Sequence, residues 1–114
     1  MHELGIVFHV IKTIEDVAKE QDLSKVSSVT LEIGEVSTVI PEYLEDCWNW
    51  ACKRSPLMEG SQLKSEIIKG VTYCEDCQKT YETVKYAKVC PYCNSENTYL
   101  IEGNGVQIKE IEAV

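Results

Sequence analysis

Cys74-Glu-Asp-Cys77 and Cys90-Pro-Tyr-Cys93 place four thiols in two equally spaced pairs, with twelve residues between them. A Cys-x-x-Cys turn aims two sulfurs at one point, and a hairpin of about a dozen residues brings the second pair opposite the first. Four thiolates in a tetrahedral array favour zinc, or less often a single iron. A closed four-sulfur site is usually structural, so the quartet predicts a metal-stapled module before it predicts an activity.

The two histidines carry different chemistry. His9 falls about 140° around a helix from Leu4, which places it on the solvated side. His2 makes the chain terminus a chelator. The Met1 α-amine, the His2 amide nitrogen and the His2 Nδ1 form fused five- and six-membered rings around a metal ion. The fourth planar position is left to the Glu3 amide, the Glu3 carboxylate or an outside ligand. Planar nitrogen-rich ligation suits Ni(II) or Cu(II), and copper binds more tightly in the usual affinity order, so the chemistry alone leaves the metal open. The chelate needs a free, unextended terminus, and a bulky second residue keeps Met1 in place. The plainer reading is that Met-His-Glu merely precedes a helix, with Glu3 favoured by the positive N-terminal end. Cys47 and Cys52, five apart on a helix, have Cα atoms about 8–9 Å apart, beyond disulfide reach. Cys47 reads as a small core residue beside Trp48, and Cys52 as a side-facing thiol. There is no phosphate loop and no nucleophile–base motif.

The elements that position these residues follow from periodicity. Leu4, Val7, Phe8, Ile11, Ile14 and Ala18 recur at helical spacing and predict a helix over about 4–21. Val29, Leu31 and Ile33 alternate with Ser28, Thr30 and Glu32 in a strand that ends at Gly34. Pro41 suits the first turn of a second helix, whose apolar side carries Leu44, Cys47, Trp48 and Ala51. Residues 61–68 form another strand, with Leu63 and Ile67 on one face, and residues 106–111 a last one. The cysteine segment has few apolar residues and depends on its metal, whereas the final apolar strand needs a sheet to join. The segment is therefore an insertion. An α+β body of two helices on a small β-sheet spans 1–69 plus 106–114, with an inserted zinc ribbon at 70–105.

In 114 residues the formal charge is −8, and four zinc-bound thiolates would take it to about −10. Such a surface repels phosphate backbones, and no basic stripe offsets it, so nucleic acid is an unsuitable partner. A basic protein partner, cation handling or plain solubility fits the acidity. No secretory signal precedes Leu4–Ile11 and no stretch reaches membrane-spanning length, which together with paired thiols predicts a reducing cytoplasmic location without membrane attachment.

Taken jointly, several segments resemble the HypA/HybF family of hydrogenase nickel-incorporation proteins. They are Met1-His2-Glu3-Leu4, Ile33-Gly34-Glu35-Val36-Ser37, Val39-Ile40-Pro41-Glu42-Tyr43-Leu44, Glu59-Gly60 before Leu63, both cysteine pairs, and Ile108-Lys109-Glu110-Ile111-Glu112. The resemblance covers essentially the whole chain. It implies a nickel metallochaperone, not an enzyme, which hands Ni(II) cargo to the [NiFe]-hydrogenase large-subunit precursor together with a HypB-type GTPase. In some organisms such proteins also serve urease maturation. Carried onto this sequence, the resemblance makes His2 the nickel ligand, with Glu3 beside it as a main-chain ligand or an orienting or recognising side chain. It makes Cys74, Cys77, Cys90 and Cys93 ligands of structural Zn(II). Gly5 stands where the family usually has serine, and Val36 where it has leucine. The cysteine segment has no histidine to supply a further ligand. Two other readings remain: an acidic zinc-ribbon interaction or nucleic-acid-associated module, and a rubredoxin-like iron carrier, which would be red where a zinc protein is colourless. Monomer and homodimer both stay open.

Overall fold

Val7, Val10, Ile11, Ile14 and Ala18 form the buried stripe of helix α1 (Glu3–Gln21) in the computed structural model, which describes residues 3–114. The stripe is narrower than the apolar pattern of the sequence: Val10 joins the core, while Leu4 and Phe8 stay exposed. The helix ends where Asp22 turns left-handed (φ 58°) and the Leu23 amide returns 2.9 Å to the Ala18 carbonyl, a Schellman closure. His9 is exposed, as its helical position requires.

Helix α2 (Pro41–Cys52) buries Leu44, Cys47, Trp48, Ala51 and Cys52. Cys52, expected as a side-facing thiol, is thus a core residue. Trp48 is fully enclosed, and its indole Nε1 donates to the Ser61 carbonyl at 3.1 Å, which satisfies the one polar atom of the ring. The two helices run in the same direction. The Ile40 amide reaches the Glu3 carboxylate where they begin, and the Ser55 hydroxyl reaches the Glu15 carboxylate towards their ends.

Strand β1 (Val26–Gly34) lies between β2 (Gln62–Ile68) and a last strand, Val106–Ala113, in one sheet. The Val26 and Glu35 amides bond the Leu57 and Ile68 carbonyls, so β2 runs parallel to β1 and α2 is the crossover between them. The last strand is antiparallel to β1, since the Val114 amide reaches Lys25 at one end and the Gly34 amide reaches Gly105 at the other. Its partly buried residues shift phase from Val106 and Ile108 to Ile111 and Ala113. That shift lets both Lys109 and Glu112 face away from the helices. There Lys64–Glu112 (3.0 Å) and Lys109–Glu66 (2.8 Å) join the flanking strands across β1. Ser28 and Thr30 of β1 are buried beneath these pairs. Ile67, expected on one face with Leu63, is exposed, and it belongs to the second of two compact units.

Lys64, hydrogen-bonded to the Glu112 carboxylate, and then the nearby Ser28 hydroxyl hold its pKa below the usual carboxylate range. A depressed carboxylate contributes stability above its unfolded pKa and loses it as pH falls through the folded value. Lys64→Ala is therefore expected to return the Glu112 pKa upward in a carbon-detected NMR titration, and an unmoved pKa would contradict the pairing.

The first unit comprises the chain up to Leu31, Val39–Glu66 and Gln107–Val114; the second comprises Glu32–Thr38 and Ile67–Val106. The second holds β3 (Val71–Cys74), β4 (Thr80–Glu82), the one-turn helix α3 (Thr83–Tyr86) and β5 (Thr98–Glu102). With these placed, the last strand, Val106–Ala113, is β6. A three-stranded antiparallel sheet has the order β4-β3-β5, with Tyr73 opposite Tyr99 and their rings 5.4 Å apart. At its base three glycines bring backbone onto backbone. A Cβ on Gly34 would lie 2.2 Å from the Gly103 carbonyl oxygen, and one on Gly103 (φ 93°) 2.6 Å from the Gly70 Cα. The Gly70 amide donates 2.7 Å to the Glu35 carboxylate. Gly103→Ala meets both a clash and a left-handed backbone, and is expected to cost about 3 kcal/mol by urea denaturation. Gly60→Ala, left-handed at φ 77° but in open space, should cost about 1 kcal/mol; equal costs would contradict the close packing.

Candidate metal centre

Both cysteine pairs sit in the same backbone turn. The Gln78 amide returns 2.9 Å to the Cys74 carbonyl, and the Cys74 amide reaches the Lys79 carbonyl at 2.9 Å. The Asn94 and Cys90 amides repeat this with the Cys90 and Ser95 carbonyls, each at 2.9 Å. Gln78 and Asn94 occupy the same place in the two turns, and both are left-handed at φ 60°. Strand β3 delivers the first turn at its C-terminal end, and the chain returning towards β5 delivers the second.

The turns bring Cys74, Cys77, Cys90 and Cys93 together with all four sulfurs within 4.8 Å of one another. The Cys74–Cys93 and Cys77–Cys90 Sγ distances are 3.6 Å, far beyond the roughly 2.05 Å of a disulfide. A tetrahedral ion with metal–sulfur bonds of about 2.3 Å needs sulfurs about 3.8 Å apart, so the array has the dimensions of a zinc site. Burial works against the Cys90 thiolate, but the Tyr92 and Cys93 amides and the neighbouring thiols bring its pKa down to about 7. For Cys93, donation from the Ser95 amide favours the thiolate, yet burial and the surrounding sulfurs push the thiol up to about 12. Four thiolates at this spacing require a cation among them, and the donor set suits a soft-to-borderline divalent ion.

A polar clamp that the sequence did not signal ties the two turns together. The Asp76 carboxylate accepts the Ser95 hydroxyl and, at 3.4 Å, the Asn97 side-chain amide. The Asn97 backbone amide in turn donates 3.0 Å to the Ser95 hydroxyl. These hydrogen bonds, Ser95 first, hold the Asp76 carboxyl below its ordinary range. Nothing in the Cys-x-x-Cys spacing points to Ser95 or Asn97, because the contact forms only once the hairpin has closed.

His2 lies outside the described residues. Glu3, its neighbour, is only 6% exposed, and its carboxylate accepts the Ile40 amide at 3.2 Å. Ile40 is the N-cap of α2 and has no capping side chain of its own. Glu3 therefore does from another helix what the N3 glutamate of a capping box does, accepting the N-cap amide and placing negative charge at the positive end of α2. Cys47, on α2, has its thiol pKa raised by burial first and then by the charges of Glu3 and Asp46. Burial raises Cys52 to about 11. Both remain neutral thiols near pH 7 and offer no ready thiolate. Among the described residues no second group of three or more His, Cys, Asp or Glu side chains gathers, and no helix is long and apolar enough to cross a membrane.

The family model described as hydrogenase/urease nickel incorporation, metallochaperone HypA matches residues 1–113. The chain is 35% identical to the hydrogenase maturation factor HypA of Geobacter metallireducens, over 98% of each. It is 30% identical to the hydrogenase maturation factor HybF of Klebsiella pneumoniae, again over 98% of each. The solution structure of the Ni metallochaperone HypA from Helicobacter pylori superposes with a TM-score of 0.79 at 24% identity, covering 100% of this chain and 98% of that one. A whole-length family match, relatives aligned over 98% of their length and the same α+β fold leave one assignment: the chain belongs to the HypA family of nickel-incorporation metallochaperones that mature hydrogenases.

Proposed function

We propose that this protein carries Ni(II) as cargo at its amino terminus, on the Met1 amine, the His2 amide nitrogen and the His2 imidazole. Cys74, Cys77, Cys90 and Cys93 hold structural zinc. In this reading residues 1–69 with 106–114 form the nickel-binding domain and residues 70–105 the zinc ribbon. The observation that supports it most is the anchoring of Glu3. A buried carboxylate bonded to the Ile40 amide fixes where α1 begins relative to α2. In this reading the cargo is held by the two residues that precede that anchored helix start. With its side chain engaged, Glu3 contributes to nickel through its main chain.

The ligand set suits delivery. A planar site leaves both faces of the metal open, so an acceptor thiolate can bind before the donor nitrogens leave. Forming the chelate releases the His2 amide proton, so affinity falls as pH falls. We assign delivery to the [NiFe]-hydrogenase precursor with a HypB-type GTPase, in the cytoplasm, with urease maturation as a second client. In cells lacking their own nickel-incorporation factor, the wild type is expected to restore hydrogenase activity at low nickel and His2→Ala is not. Restoration by both would overturn the reading.

Glu3 gives a finer test. Glu3→Ala removes the cap and should cost about 1 kcal/mol of stability; it should also weaken nickel binding about tenfold in the folded protein. Glu3→Gln keeps an acceptor for Ile40 and should retain most of the affinity. In short peptides beginning Met-His-Glu or Met-His-Ala, nickel affinity should be the same. A peptide difference as large as the protein difference would make the carboxylate a direct ligand.

A further inference from the structure

The apolar pattern of α1 is wider than the stripe the core uses, and the excess forms a surface. Leu4 and Phe8 are 38% and 46% exposed, one turn apart on α1. Tyr43 and Trp50, two turns apart on α2, are 55% and 46% exposed. The Phe8 and Trp50 rings meet edge-on with centroids 6.1 Å apart, so the two exposed rows adjoin along the seam of the parallel helices. The Arg54 guanidinium stacks 3.8 Å over the Trp50 ring and ends the seam. Large apolar side chains exposed together in a polar rim mark an interaction site more often than a free surface. Beside them on α2 stand the exposed carboxylates Glu42 and Asp46, one turn apart. The chain as a whole is at −8, so a second copy would bring like charge onto this ridge.

We propose that the Leu4–Phe8–Tyr43–Trp50 seam docks a basic amphipathic helix of a partner protein. Its apolar row seats between α1 and α2, and its lysine or arginine row faces Glu42 and Asp46. A helix laid in a groove is read at positions one and two turns apart, which is the spacing of Phe8 from Leu4 and of Trp50 from Tyr43. Aromatic anchors of this kind carry most of the energy of such contacts, and the acidic ridge sets the partner's sign and its rate of association. The seam starts beside Glu3, so a docked partner would lie next to the chain terminus; that consequence alone rests on the terminal nickel reading.

The test uses zinc-loaded, isotope-labelled protein and two synthetic amphipathic peptides, one of leucine and lysine and one of leucine and glutamate. The lysine peptide is expected to bind with NMR shifts concentrated at Phe8, Tyr43 and the Trp50 indole. Trp50→Ser and Asp46→Lys should each weaken it about tenfold with unchanged circular dichroism, and the glutamate peptide should not bind. Binding indifferent to Trp50→Ser would reduce the effect to bulk charge and overturn the proposal. So would equal binding of the glutamate peptide, no binding at all, or sedimentation showing that the wild type pairs with itself through this face. His2→Ala should bind the lysine peptide like the wild type, so loss of nickel binding and loss of docking register separately.

Discussion

Cys74→Ser is expected to strip the second unit of its fixed structure while α1 and α2 keep theirs. The buried cluster in that unit consists of Cys74, Tyr81 and Cys90, with Cys77 packed against it. Three of those four are themselves proposed metal ligands, so a bound metal would be most of the core. The strands β3, β4 and β5 are four, three and five residues long, too short to hold a sheet without such a centre. Structural zinc in small modules contributes an apparent binding energy of about 10–16 kcal/mol, which serves as folding energy. Serine supplies no thiolate, and the remaining three cysteines would retain only part of that. Zinc content by elemental analysis should fall well below one equivalent, and the dispersed Tyr73 and Tyr99 resonances should collapse. The same collapse should follow in the wild type as pH falls, because protons displace the metal from thiolates; zinc's contribution is complete at neutral pH and lost in acid. A Cys74→Ser protein with full zinc and a dispersed spectrum would refute the stapled-module picture.

Adding one residue before Met1 is expected to damage nickel binding as much as His2→Ala does, by at least about a hundredfold. The two changes remove different atoms of one chelate. His2→Ala takes away the imidazole, whereas the extension turns the α-amine into an amide and moves the terminal amine beyond the five-membered ring. Neither alters a residue of α1, the Glu3–Ile40 contact or the cysteine quartet, so zinc content and thermal unfolding should not change. If the extension leaves affinity intact while His2→Ala abolishes it, the imidazole binds nickel without the amine and the planar chelate is wrong.

The cysteine quartet was legible because two equal spacings state the ligands and their relative position outright. The helices were legible from 3.6-residue periodicity, and β1 from alternation. What periodicity could not reveal was which part of an apolar stripe is used. Leu4 and Phe8 satisfy the helical pattern as well as Val7 and Ile11 do, and only the placement of α2 leaves them outside. Ile67 fits the alternation with Leu63 but lies where the strand has passed from the first unit to the second. The capping of α2 by Glu3 joins residues 37 positions apart, and the Asp76–Ser95–Asn97 clamp joins residues about 20 apart; neither leaves a local mark. Glu3 shows the difference most clearly. Its place beside His2 suggested a part in the metal site, and the structure engages its buried carboxylate with the Ile40 amide instead.

X-ray absorption at the nickel edge on zinc-loaded protein carrying one equivalent of Ni(II) tests the division of labour most directly. A terminal nitrogen chelate predicts a planar shell of nitrogen and oxygen neighbours with no sulfur, while the zinc edge of the same sample shows four sulfurs at about 2.3 Å. Sulfur in the nickel shell, or zinc displaced as nickel binds, would place the cargo on the cysteine quartet and contradict the assignment of nickel to His2.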